Sequence, residues 1–214
     1  MDRYLARPVG YSRAEYLSDV LVHVIGVVTV AAIVPALVVV AMFMADAQTI
    51  WGTLIYGTTL SAVILFSAIY NIFPHPKSEW LLKRLDHAAI FLKIAGTYTA
   101  LSLISGSGGE SVSGVWAVAC LGVALKLVSP YRFRWIALSL YIGLGVTVGL
   151  FAESMMAELP ELTFTLLALG GVTYLIGVGF YLWQALPFHF TIWHVFVLAG
   201  SLLVYASVLV AVLG

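Results

Sequence analysis

Seven long apolar runs divide the chain, at about 18–44, 49–73, 87–105, 112–129, 135–152, 161–184 and 188–213. A helix needs roughly 20 such residues to cross a bilayer. In lipid, backbone N–H and C=O groups find no water, so each segment must satisfy its own, and helices do this with the fewest elements. The pattern predicts an all-α fold, a seven-transmembrane helix bundle. The connections between runs are short, so residues 1–214 read as a single integral membrane domain.

Local signals agree with these boundaries. Ser12 and Glu15 have capping-box spacing just before the first run. Pro74 and Pro76 end the second, Pro130 ends the fourth, and Pro160 and Pro187 stand where the sixth and seventh begin. The glycine-rich stretches "YIGLGVTVG" and "GGVTYLIGVG" suit close helix contact in lipid. There is no internal repeat and no low-complexity segment.

Composition supports the membrane reading. The chain is 62% hydrophobic and 9% charged, against roughly 25% charged residues in a soluble domain. Its net charge is zero. No basic patch suits nucleic acid, so membrane lipids are the expected partners, and nothing in the pattern specifies an oligomeric state. The single cysteine, Cys120, lies inside the fourth run, so no intramolecular disulfide can form. The first run is too long for a signal-peptide core and lacks a small-residue cleavage site, so it reads as the first span.

Basic residues sort by side. Arg3, Arg7 and Arg13 precede the first span; Lys77, Lys83 and Arg84 lie between the second and third; Lys126, Arg132 and Arg134 flank the turn between the fourth and fifth. The other connections carry Asp46, Glu110, Glu153, Glu158 and Glu161 without Lys or Arg. The positive-inside rule then predicts a cytoplasmic N-terminus and an external C-terminus. Of the ten basic residues, only Lys93 belongs to neither set of loops.

Polar residues inside the spans collect at the predicted cytoplasmic end. Span 1 carries Glu15, Asp19 and His23, four residues apart and so on one face. Span 2 arrives with Ser67 and Asn71, span 3 starts with Asp86 and His87, and span 7 starts with His189 and His194. The outer halves of these spans carry little. Charged groups in a span cost about 2.5–3.5 kcal/mol each on insertion scales and usually face the bundle interior. Asp19, His23, Asn71, His87 and Lys93 are therefore expected to line a common polar cavity. Lys93 lies two turns past Asp86, about 10 Å deeper, and is expected to lean its ammonium back toward that carboxylate.

These residues carry a resemblance. The string "SAIYNIFPHPKSEWLLKRLDHAAIFLKIAGTYTA" resembles a signature block of the hemolysin III family, bacterial relatives of the progestin and adipoQ receptors, among them the adiponectin receptors. "AEYLSDVLVHVIG", "GGVTYLIGVGFY" and "LPFHFTIWHVFVLAGS" resemble its first, sixth and seventh spans. The resemblance implies seven helices with the N-terminus inside and, as in the receptors, a zinc ion held by one His of span 2 and two of span 7 beside a Ser and an Asp. Such an ion would polarise a carbonyl, as in the related alkaline ceramidases.

Carried onto this chain, the resemblance makes Ser67 and Asp86 the catalytic pair and His194 a metal ligand. The span 2 His position is Asn71, and the first span 7 His position is Phe190. His189 is the nearest substitute metal ligand, and Val204 stands where relatives carry a further His. Two expectations follow. Either His189 and His194 hold zinc, or the site is metal-free and Lys93 supplies the missing positive charge. The leading functional reading is a membrane or lipid homeostasis or sensing protein. The alternatives are a zinc-dependent lipid amide hydrolase, whose expected ligand set is broken at Asn71 and Phe190, and a small proton- or ion-coupled transporter using Asp86, Lys93 and His23.

Overall fold

The computed structural model describes residues 12–73, 77–129, 134–150, 155 and 157–214. Arg3, Arg7, Pro74, Pro76, Pro130, Arg132 and Glu153, which entered the sequence argument, lie outside the described residues. Seven helices fill the described chain: α1 Arg13–Met44, α2 Ala47–Ile72, α3 Glu79–Ser105, α4 Gly109–Val128, α5 Arg134–Leu150, α6 Glu161–Leu182 and α7 His189–Leu213. Six are long and apolar enough to cross a membrane; α5 is apolar over Trp135–Val146 and shorter. No strand occurs among the described residues.

The helix starts follow from local chemistry. Ser12 and Glu15 form the capping box of α1: the Ser12 hydroxyl accepts from the Glu15 N–H at 3.2 Å, and the Glu15 carboxylate accepts from the Ser12 N–H at 2.8 Å. Asp46 caps α2, its carboxylate accepting the Thr49 N–H at 2.8 Å. That bond holds the Asp46 carboxyl below its ordinary value. Helix α7 starts differently. Phe188 adopts a left-handed conformation (φ 60°), and its N–H donates to the Glu15 carboxylate at 2.9 Å. A non-glycine residue there costs roughly 1–2 kcal/mol, which the bond to α1 helps offset.

Neighbours in sequence are neighbours in space: α1 packs on α2, α2 on α3, α3 on α4, and α6 on α7. Helix α7 then closes on α1 and reaches α3. Helix α3 is the most enclosed of the spanning helices, and α6 faces outward over most of its surface. Two glycines allow α3 its close neighbours. A Cβ on Gly96 would strike Thr59 of α2, and one on Gly122 of α4 would strike the Phe91 ring.

The halves of the helices away from Asp19 and Asp86 are less bare than expected. Thr53, Tyr56, Thr163 and Ser207 are all buried there. Ser207 donates to the Thr163 carbonyl at 2.7 Å, joining α7 to α6. Of these four, only Ser207 bonds a backbone carbonyl in this way; the hydroxyls of Thr53, Tyr56 and Thr163 are buried without a hydrogen-bond partner.

Candidate functional site

Helix α1 places two polar side chains on one face because Asp19 and His23 are one turn apart. Asp19 is 1% exposed and His23 is 6% exposed. The His23 Nδ1 lies 2.8 Å from the Asp19 backbone carbonyl. A carbonyl only accepts, so Nδ1 carries the proton and Nε2 the lone pair. His194 comes from the second turn of α7. Its Nδ1 lies 2.6 Å from Asp19 Oδ1, a short charge-assisted contact between α1 and α7. The two imidazoles meet edge to face with centroids 4.4 Å apart.

Helices α2 and α3 close the group. His23 Nε2 lies 3.3 Å from the Ser67 hydroxyl. Asn71 donates to the Ser67 carbonyl at 2.9 Å and to its hydroxyl at 3.4 Å. Asp86 is hydrogen-bonded to the same Ser67 hydroxyl and senses the charges of His194 and Asp19. Ser67 has a single proton and two acceptors, His23 Nε2 and Asp86, compete for it.

The structure thus brings together Asp19, His23, Ser67, Asn71, Asp86 and His194. Three other residues named from the sequence stand elsewhere. His189 is five residues before His194, a rotation of about 140°, and follows the left-handed Phe188. Its Nδ1 turns back to the Leu186 carbonyl at 3.1 Å, and its buried Nε2 has no hydrogen-bond partner. His87 follows Asp86 by about 100° of helix and faces Lys126 and Lys83 instead. Its carbonyl accepts from the Tyr141 hydroxyl at 2.8 Å.

Lys93 does not lean back toward Asp86. Its ammonium donates to the Tyr174 hydroxyl and, at 3.5 Å, to Ser201 Oγ, and it sits 4.3 Å from the Tyr174 ring centroid. These acceptors lie at its own depth, so the side chain need not climb two turns. The sequence reading named neither. The available signal was spacing: Ser201 follows His194 by the same seven residues that separate Lys93 from Asp86.

Asp19, His23 and His194 each offer a ligand atom, and these atoms all lie within 4.8 Å of one another. With both Nδ1 atoms protonated, the two imidazoles could ligate zinc only through Nε2, with the Asp19 carboxylate holding the His194 ring rather than ligating. The protons on both Nδ1 atoms point at Asp19 acceptors, the arrangement usual for ligating histidines. The residues present therefore fit a metal, through α1 and α7 rather than through Asn71 and Phe190.

A bundle of apolar helices with a polar cluster at one end defines an integral membrane protein. The haemolysin-III related family model matches residues 13–205, and the chain belongs to that family. It is 33% identical to the hemolysin-3 homolog of Bacillus subtilis (strain 168) over 201 residues, 91% of this chain and 93% of that one. It is likewise 33% identical to hemolysin-3 of Bacillus cereus over 202 residues, covering 93% and 92% of the two chains. A more distant relative is the human monocyte to macrophage differentiation factor, 26% identical over 190 residues, 82% of this chain and 78% of the human one. No solved structure matches the chain.

Proposed function

We propose that this protein works in membrane or lipid homeostasis, from the bacterial inner membrane, through a polar pocket at the cytoplasmic end that holds a zinc ion. The observation that carries this reading is the convergence of Asp19, His23 and His194, each buried, with ligand atoms within 4.8 Å. Zinc bound there supplies Lewis acidity toward a carbonyl oxygen. Asp19 orients His194, and its own negative charge favours a cation at that spot. Ser67 and Asn71 hold the α2 wall of the pocket, and Asp86 presents a second carboxylate from α3.

A second reading, hydrolysis of a lipid amide, is favoured by one specific observation. The Ser67 hydroxyl and Asp86 carboxylate are hydrogen-bonded beside the metal donors. That pair can accept and return a proton next to a polarised carbonyl.

Metal analysis of the purified protein tests the first reading. About one zinc per chain is expected, lost in His194→Ala. Wild type without bound metal overturns it. Turnover of a long-chain lipid amide, abolished in both His194→Ala and Asp86→Asn, separates the hydrolase from the sensor. A metal-loaded protein with no turnover leaves the sensor reading standing alone.

A further inference from the structure

Three contacts join the first two turns of α1 and α7, and they run down the two helices in register. The Glu15 carboxylate accepts the Phe188 N–H at 2.9 Å, the Ser18 and Thr191 hydroxyls meet at 3.0 Å, and the Asp19 carboxylate holds His194 Nδ1 at 2.6 Å. The Thr191 hydroxyl also reaches the Glu15 carbonyl at 3.4 Å. Phe188, Thr191 and His194 are three residues apart, and so are Glu15 and Ser18, so each helix offers one face to the other. The contact at the zinc pocket is the third rung of this ladder.

The first rung differs from the others in what it holds. Phe188 is the N-cap of α7, at φ 60° and ψ 15°, and its side chain makes no capping bond. Among the described residues it is the one non-glycine with positive φ. Asn or Asp can steady that conformation with a local hydrogen bond, and a phenyl ring cannot. The chain is held there from outside, by one oxygen of Glu15. The other oxygen accepts the Ser12 N–H at 2.8 Å, so a single carboxylate ties the starts of both helices together. From Phe188 to His194 is six residues of helix, about 9 Å at 1.5 Å per residue. The first helical bond, from the Ile192 N–H to the Phe188 carbonyl, is formed at 2.9 Å. A change in where α7 begins is passed along it as a rotation of about 100° per residue, enough to turn His194 away from Asp19.

We propose that Glu15 is a positioning residue for the zinc pocket: by holding Phe188 left-handed it sets the phase of α7 and keeps His194 against Asp19 before metal arrives. The consequence for metal rests on the zinc reading; the clasp itself does not. The Glu15 oxygens bond the backbone of Ser12 and Phe188, so the carboxylate acts on the metal donors through α7. Without Glu15 the metal-free chain can relax Phe188 to negative φ, and zinc binding must then restore the left-handed conformation. The cost of that conformation in a non-glycine residue sets the size of the loss, about tenfold in affinity. Glycine adopts it freely, so Phe188→Gly removes the need for the carboxylate.

Zinc affinity of the purified full chain, measured by competition with a chelating dye, tests this. Glu15→Ala should bind zinc about tenfold more weakly than wild type. Glu15→Ala combined with Phe188→Gly should return to within about threefold of wild type. Ser12→Ala, which loosens the cap of α1 but leaves the Glu15–Phe188 bond, should lower thermal stability and keep wild-type affinity. Affinity in Glu15→Ala equal to wild type overturns the proposal, as does an equal loss in Ser12→Ala or a double variant no better than Glu15→Ala. Hydrogen exchange of the metal-free chain reads the clasp alone. The amides of residues 189–194 should exchange faster in Glu15→Ala and return toward the wild-type rate in the double variant. Wild type that binds no zinc overturns the zinc reading and leaves Glu15 to be judged by exchange, where an unchanged rate in Glu15→Ala overturns the proposal.

Discussion

Two polar layers cross the interior of the bundle, and the same seven-residue step separates them on α3 (Asp86 to Lys93) and on α7 (His194 to Ser201). The upper layer joins Asp19, His23, Ser67, Asn71, Asp86 and His194: two acids, two imidazoles, a hydroxyl and an amide. The lower layer joins Lys93, Tyr174 and Ser201, with Ser201 Oγ 2.7 Å from the Tyr174 hydroxyl. The upper layer is rich in negative charge and lone pairs and suits a cation. The lower layer already holds a cation among neutral hydroxyls. Depth alone therefore does not assign a role to a polar residue in a span; the charge of its partners does. Lys93 does not reach Asp86, because its ammonium is engaged by Tyr174 and Ser201 two turns further along α3.

The contrast breaks most visibly at the metal. Removing the orienting carboxylate with Asp19→Asn should weaken zinc retention by about 10–100-fold, read by metal content after dialysis against a chelator. Lys93→Met should leave zinc content at the wild-type level. Loss of metal in both variants would merge the two layers into one site.

Packing around the lower layer gives the next effect. Gly96, one turn beyond Lys93, faces Thr59 so closely that a methyl group must displace it. Gly96→Ala is expected to cost about 1–3 kcal/mol in denaturant unfolding while keeping the metal. A smaller change follows from Tyr174→Phe, which removes an acceptor from Lys93 and should cost about 1 kcal/mol. Combining it with Lys93→Met should recover that loss, since no buried cation is then left underpaired.

Most of the fold was legible because it rests on local rules. The apolar runs set the helices, Ser12 and Glu15 set the start of α1, and the four-residue steps Asp19–His23 and Ser67–Asn71 put each pair on one face. What one helix says about itself can be read from its period. What α1 says to α7 cannot, because the rotation and height of two helices depend on every contact between them. The Asp19–His194 contact is of that kind, and so is Lys93 to Tyr174. His189 was misplaced for a related reason: a single left-handed residue, Phe188, decides where α7 begins, and phenylalanine gives no warning of it. The resemblance implied a ligand set on α2 and α7, whereas the metal-capable side chains that meet in the structure are on α1 and α7.

The smallest effect lies outside both layers and serves as a control. Asp46, capping α2, has its pKa lowered by the Thr49 N–H from an ordinary value of 3.8. A depressed carboxyl stabilises the folded chain fully above that ordinary value, and the contribution fades as pH falls through the lowered one. Wild type should therefore be slightly more stable than Asp46→Ala at neutral pH, with the difference vanishing in acid. Circular dichroism melts at several pH values check this, and zinc content should not change.

Zinc-edge X-ray absorption on the purified wild-type chain tests the central assignment most directly. The expected spectrum has a first shell of nitrogen and oxygen at about 2.0–2.1 Å, with the outer-shell signature of two imidazoles and no sulfur. His23→Ala should reduce that signature to one imidazole or abolish the edge. A spectrum unchanged by His23→Ala, or no zinc edge in wild type, would contradict a site built from α1 and α7.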